Sequence, residues 1–206
     1  MYEEIFPLFG DEIKGDLHYN FINKEYTSLE SATREIFDEI EADGKEIGYA
    51  GYLENRSKSL IQTYIYKESR VIHLGIDLFV PTDTNLYAPL DGEVVISEIE
   101  KQDGGYGGFV VMKHNINNVV FYTLYGHLKR DYLPKLNSYL KKGDKFASIG
   151  NIEENGRWAP HLHLQVFTEK GFGDEWLRKG YCTVEQVGDM YDICPNPFFL
   201  VKVRRK

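Results

Sequence analysis

The hydrophobic pattern of this chain changes period near residue 60. Before that point Leu29, Ala32, Ile36, Phe37 and Ile40 recur at helical spacing, which predicts a helix over residues 27–43. The stretch TSLE is its expected start, with Thr27 as N-cap and Glu30 reaching back in a capping box, and Gly44 is the expected stop. After residue 60 the apolar residues gather into short runs rich in Val, Ile, Phe and Tyr: LIQTYIY, VIHLGIDLFV, EVVISEIE, FVVMKH, VVFYTLYGHL, KFASIG and HLHLQVF. Between them lie PTDTN, PLDG, QDGGYGG, NINN, KKGD and EENGRWAP, which carry turn chemistry. Many short strands without intervening helices predict a mainly β, antiparallel domain over residues 61–206, after a small α-containing region over residues 1–60. NINN reads as the loop of a hairpin. From about residue 168 the pattern reads as an irregular C-terminal extension, with a short helix near DEWLRKG.

Composition narrows the function classes. With 206 residues, 42% hydrophobic and 27% charged, the chain has the balance of a globular protein. A formal net charge of −8 argues against an electrostatic grip on nucleic acid or an anionic membrane surface. The basic tail VKVRRK reads as a solvated terminus. No basic segment followed by an apolar run opens the chain, and no stretch approaches the ~18 apolar residues of a membrane span. The expected location is therefore the cytoplasm. Cys182 and Cys194 read as two ordinary thiols, with a disulfide left open.

The histidines change the picture further. Four of the six, His73, His127, His161 and His163, sit in or beside apolar β runs, where an unsatisfied polar group is costly. In a strand, His161, His163 and Gln165 share one face while Leu162, Leu164 and Val166 point into a core. Two histidines about 6–7 Å apart on one face can converge on one site, one holding a metal while its neighbour handles protons. In HLGID, a flat strand would separate His73 from Asp77 by roughly 13 Å, too far to share a metal. The segment is therefore expected to bend at Gly75, which would also leave an open face beside the metal. With His73, Asp77 and His163 as ligands, the set is two histidines and a carboxylate with a fourth position open to water. That is the catalytic arrangement, and it suits zinc.

Three blocks, HLGID (73–77), YGHL (125–128) and HLH (161–163), resemble the lysostaphin-type zinc metallopeptidases, also called LytM-domain or β-lytic endopeptidases. The intervening YAPLDGEVV, GGYGG and LKKGDKFASIG resemble the same family, and the likeness covers about residues 70–167. The resemblance implies an antiparallel β-sheet groove, related to the barrel-sandwich hybrids, with zinc on its floor. It implies that His73, Asp77 and His163 bind Zn2+, and that His127 and His161 sit near the water such a metal activates. The implied activity is hydrolysis of a peptide or amide bond in peptidoglycan cross-links or their fragments. The alternative within the family is a catalytically inactive groove that binds a peptide or a partner enzyme. Tyr125 reads as packing, Asn55 and Arg56 as solvated loop residues, and residues 45–70 as a segment able to cover the groove. APLDGEVV and KKGDKFASIG also resemble biotinyl and lipoyl carrier domains. However, Lys113 lacks a second flanking methionine, and a carrier has no use for the histidine motifs.

Overall fold

The computed structural model describes residues 4–173 and 176–203. Eight strands form one sheet, in the order β1 (Leu17–Tyr19), β2 (Ile47–Ala50), β4 (Ile76–Phe79), β11 (His161–Thr168), β8 (Val119–Leu128), β7 (Gly107–Ile116), β6 (Gly92–Glu100) and β9 (Tyr139–Leu140). Every neighbouring pair is antiparallel except β1 with β2. Two small sheets flank it, pairing β5 (Asn85–Tyr87) with β10 (Lys145–Ser148) and β3 (Ile72–His73) with β12 (Tyr181–Cys182). The mainly β, antiparallel groove architecture expected from the sequence is the one observed.

Strand alternation explains the two cores. On β11, Leu162, Leu164 and Val166 face a cluster that includes Leu78, Val94, Met112, Tyr125 and Phe146. On β7, Phe109 and Val111 face the other way, into a cluster with Leu124, Phe167, Met190 and both cysteines. Each fully buried aliphatic chain here contributes about 1.5–3 kcal/mol. Leu8, Phe9, Ile13 and Ile47, all before residue 60, also lie in the first cluster. The cysteines are free, buried thiols.

The loop between β7 and β8 is a two-residue turn in which Asn117 and Asn118 have φ of 52° and 66°. Two consecutive left-handed residues match the twist of a hairpin, and asparagine tolerates them. The predicted helix is α1 (Leu29–Ala42), packed on the sheet edge through Ile36 and Ile40, and Gly44 follows it with φ 65°. Its cap lies one residue later than expected. Ser28, not Thr27, accepts the Ser31 N–H, and the Ser31 hydroxyl, not Glu30, accepts the Ser28 N–H. LIQTYIY is not a strand. Its end forms the short helix α2 (Tyr64–Lys67), because the Thr63 hydroxyl bonds locally to Leu60 O and Tyr66 N and holds a turn. The helix expected near DEWLRKG is a turn at Trp176–Arg178, while Asp174 and Glu175 lie outside the described residues. A helix forms later instead, α3 (Val187–Ile193). Arg204, Arg205 and Lys206 of the basic tail also lie outside the described residues. Among the described residues no helix is long and apolar enough to cross a membrane.

Candidate metal centre

The HLGID segment breaks where glycine allows it. β3 ends at His73 and β4 begins at Ile76, and the two strands pair with different sheets. The break brings His73 Nε2 to 3.3 Å from Asp77 Oδ1, in place of the separation a flat strand would impose. Gly75 does not leave an open face, however. A Cβ there would lie 2.7 Å from His163 Cε1 and 2.7 Å from Leu164 O, so the missing side chain is the space that the His163 ring occupies.

Sheet register supplies the third group. His163 on β11 pairs directly with Asp77 on β4. His163 Nδ1 lies 3.2 Å from Asp77 Oδ1 and 3.1 Å from His73 Nε2. The three atoms form a nearly equilateral triangle. A tetrahedral zinc with arms of about 2.0–2.2 Å has ligand–ligand edges of about 3.3–3.6 Å, so the triangle is close to what that ion needs. Neighbours hold the other ring nitrogens: His163 Nε2–H donates to Gln165 Oε1 at 2.9 Å, and His73 Nδ1 lies 3.1 Å from Gly51 O. Two imidazole nitrogens and a carboxylate oxygen face one another, all buried, and a cation is what such a set can accommodate. Burial, reinforced by Arg56 and His163, pushes the His73 pKa down to about 4, against the pull of Asp77. Burial alone would raise the Asp77 pKa, but His73, His161 and Arg56 outweigh it and hold the carboxyl well below its usual range. At neutral pH His73 and Asp77 are thus in the protonation states that a metal requires.

Arg56 overturns the expectation of a solvated loop residue. It is 2% exposed. Its Nη1 donates to Asp77 Oδ2 at 2.9 Å, which leaves Oδ1 turned toward the two imidazoles. Its Nη2 lies 3.1 Å from His73 Nδ1, and its Nε donates to Glu54 Oε2 at 3.3 Å. The backbone holds it there, because the Arg56 N–H donates to Val71 O at 2.7 Å. Asn55, beside it, bridges to Ile72 and caps its own turn through Ser57 N–H.

His127 and His161 complete the constellation. The ladder between β7 and β8 shifts between Gly108 and Val110, where β8 carries one extra residue. His127 sits in that bulge with φ 64°, a conformation that costs a non-glycine residue about 1–3 kcal/mol and is found mainly where function requires it. Its Nδ1–H donates to Asn155 O at 2.7 Å, and that of His161 to Ala159 O at 2.7 Å, so in each ring Nε2 is the nitrogen left for the site. The two rings are 4.3 Å apart, and His161 Nε2 is 3.3 Å from Asp77 Oδ1. Burial, together with His161 and His163, holds the His127 pKa well below the ordinary imidazole range.

Asp77, His163, His127, His161 and Arg56 line one groove of about 360 Å³, whose wall includes residues 58–65 of the segment expected to cover it. Tyr125 lies in the core, where its hydroxyl accepts from Thr123. Tyr106, by contrast, has its ring 5.3 Å from that of His163, tilted by 45°, and lines the groove. Within GGYGG it had read only as part of a turn, and nothing in its spacing marked it.

A family model described as peptidase family M23 matches residues 71–174. Among solved structures, the chain is similar to a zinc containing peptidase from Vibrio cholerae, at 32% identity over 48% of this chain and 28% of that one, with a TM-score of 0.40. It is similar to the catalytic domain of the antimicrobial peptidase lysostaphin from Staphylococcus simulans, at 24% identity over 59% and 81% of the two chains, with a TM-score of 0.42. It is also similar to LytU, at 26% identity over 57% and 73%, with a TM-score of 0.41. The chain spans 28% of the Vibrio cholerae peptidase and 40% of lysostaphin as solved in solution. No curated protein matches the sequence.

Proposed function

This chain belongs to peptidase family M23, and on that premise we propose that it is a zinc-dependent endopeptidase in which His73, Asp77 and His163 hold the metal while His127 and His161 move protons. The observation that carries the reading is the buried triangle of ligand atoms from His73, Asp77 and His163, with edges of 3.1–3.3 Å. Zinc held there supplies Lewis acidity, which polarises a scissile carbonyl and makes water nucleophilic at neutral pH.

The remaining steps belong to side chains of this protein. Nε2 of one of His127 and His161 accepts a proton from the attacking water. Once protonated, that nitrogen or its neighbour donates to the leaving amine. The backbone carbonyls of Asn155 and Ala159 keep each Nδ1 protonated and each Nε2 directed at the reaction. Arg56 holds Asp77 through Oδ2, so that Oδ1 remains for the ion. The substrate is a peptide, in peptidoglycan cross-links or fragments released from them.

The test is elemental analysis of purified protein alongside His163→Ala. About one zinc per chain in the wild type and none in the variant supports the reading, and hydrolysis of peptidoglycan fragments is then assayed. A wild type that takes up no metal from excess zinc refutes it.

A further inference from the structure

Gln165 shares a strand face with His161 and His163, and the proton transfers do not use it. It is fully buried, and a primary amide is tolerated there only when its polar atoms are bonded. Its Nε2 lies 3.3 Å from Lys179 O and 3.5 Å from Cys194 Sγ, and its Oε1 lies 2.9 Å from His163 Nε2. A backbone carbonyl can only accept, so Lys179 O must face the amide nitrogen. With the NH2 group turned to Lys179 and Cys194, the oxygen is what remains for the imidazole. An amide oxygen has no hydrogen to give, so the proton of that contact belongs to His163 Nε2.

Both anchors come from the C-terminal extension. Lys179 and Cys194 lie beyond residue 174, where the family match ends. Cys194 closes α3, its N–H donating to Met190 O at 2.8 Å, and its carbonyl accepts the Tyr52 hydroxyl at 2.7 Å. Lys179 leads into β12, where Gly180 O accepts the Leu74 N–H at 2.9 Å and Tyr181 pairs with His73. A Cβ on Gly180 would stand 3.4 Å from His163 Cε1, so the same stretch lies against that ring. The extension thus reaches His73 through the backbone and His163 through Gln165.

We propose that Gln165 is a positioning residue of the metal centre: anchored by Lys179 O and Cys194 Sγ, its amide keeps the His163 proton on Nε2 and so makes Nδ1 the metal ligand. This rests on the zinc reading and adds what selects the ligating nitrogen. Nδ1 is the atom 3.1 Å from His73 Nε2 and 3.2 Å from Asp77 Oδ1. The opposite tautomer would put a hydrogen inside that triangle and leave Gln165 Oε1 facing a lone pair. A partner on the far nitrogen of a ligating imidazole is worth about 10–100-fold in metal affinity.

The experiment reads the His163 ring directly and then removes its partner. Long-range 1H–15N correlation spectra of the zinc-loaded full chain, with labelled histidine, identify which nitrogen carries the proton and which the metal. The expected result is a proton on Nε2 and zinc on Nδ1. Zinc affinity is then measured against a chromophoric chelator for the wild type, Gln165→Leu and Gln165→Glu, with the melting temperature of each. Gln165→Leu keeps the bulk and loses the acceptor, and is expected to bind zinc about 10–100-fold more weakly. Gln165→Glu keeps an acceptor oxygen and is expected to recover most of that loss. A residue that served packing alone would give the reverse order, since leucine suits a buried position better than a carboxyl group. Zinc on Nε2 in the wild type would overturn the proposal while leaving the metal centre standing, and that spectrum decides the matter even where a variant does not fold. Wild-type affinity in Gln165→Leu, or tighter binding by it than by Gln165→Glu, would do the same. A wild type that takes up no zinc would overturn the metal reading and the proposal with it.

Discussion

Replacing Arg56 by methionine tests the electrostatics of the site without opening a large hole, since methionine retains most of the stem volume. In the metal-free protein the change removes the donor 2.9 Å from Asp77 Oδ2 and leaves an ionised carboxylate that is almost fully buried. Deleting one partner of a buried, hydrogen-bonded ion pair costs about 3–5 kcal/mol, because the other charge remains without compensation. For a chain of this length each kcal/mol lowers the melting temperature by about 2–4 °C, so a fall of roughly 6–20 °C is expected in the presence of chelator. With saturating zinc the deficit should shrink, since the ion supplies positive charge to the same carboxylate. The assay is thermal and urea unfolding of wild type and Arg56→Met, each with chelator and with zinc. Chelated Arg56→Met within about 1 kcal/mol of the wild type would refute the argument, as would a deficit that zinc does not reduce.

Further outcomes follow from the same geometry. His127→Ala and His161→Ala should each retain about one zinc per chain by elemental analysis while losing at least about 100-fold in peptide hydrolysis; metal loss in His127→Ala would reverse its assignment. The pKa values of His73 and His127 are lower in the fold than in an unfolded chain, so the unfolded state binds more protons as pH falls below about 6.5. Metal-free stability should accordingly be full above that value and decline toward pH 4. The part due to His73 is about 3 kcal/mol, and denaturant titrations across that window read it. Gly75→Ala should fold poorly and bind zinc weakly, because its methyl enters the space of the His163 ring and a backbone carbonyl that cannot yield; normal zinc uptake by that variant would contradict the packing. Leu164→Ala, on the opposite face of the same strand, should cost about 2–5 kcal/mol in unfolding experiments.

The convergence of His73, Asp77 and His163 was legible because it rests on period and composition. Alternation put His161 and His163 on one face, and the distance across HLGID required a bend. Arg56 was not legible. Glu54, Asn55 and Arg56 have the composition of a solvated loop, and the burial of that guanidinium depends on a carboxylate 21 residues away. The α1 cap was misplaced by one position because Thr27 and Ser28 are both hydroxyl residues, and only the backbone distinguishes which is extended. LIQTYIY has strand-forming residues throughout, yet a single threonine hydroxyl outweighed them by bonding within its own turn. The left-handed bulge at His127 has no counterpart in side-chain pattern, since a shift in register belongs to two strands together.

β4 lies between β2 and β11, and β2 comes from the segment before the family match. A fragment excised at residue 71 would turn β4 into an edge strand, exposing the backbone of Ile76–Phe79, four residues otherwise wholly buried. Unpaired edges of that kind recruit other chains and aggregate. The same cut would remove the cation that accompanies Asp77. The stretch that marks this protein's ancestry is thus shorter than the stretch that must travel with it, and a graft or circular permutation of the catalytic unit has to begin ahead of Ile47 if it is to arrive soluble.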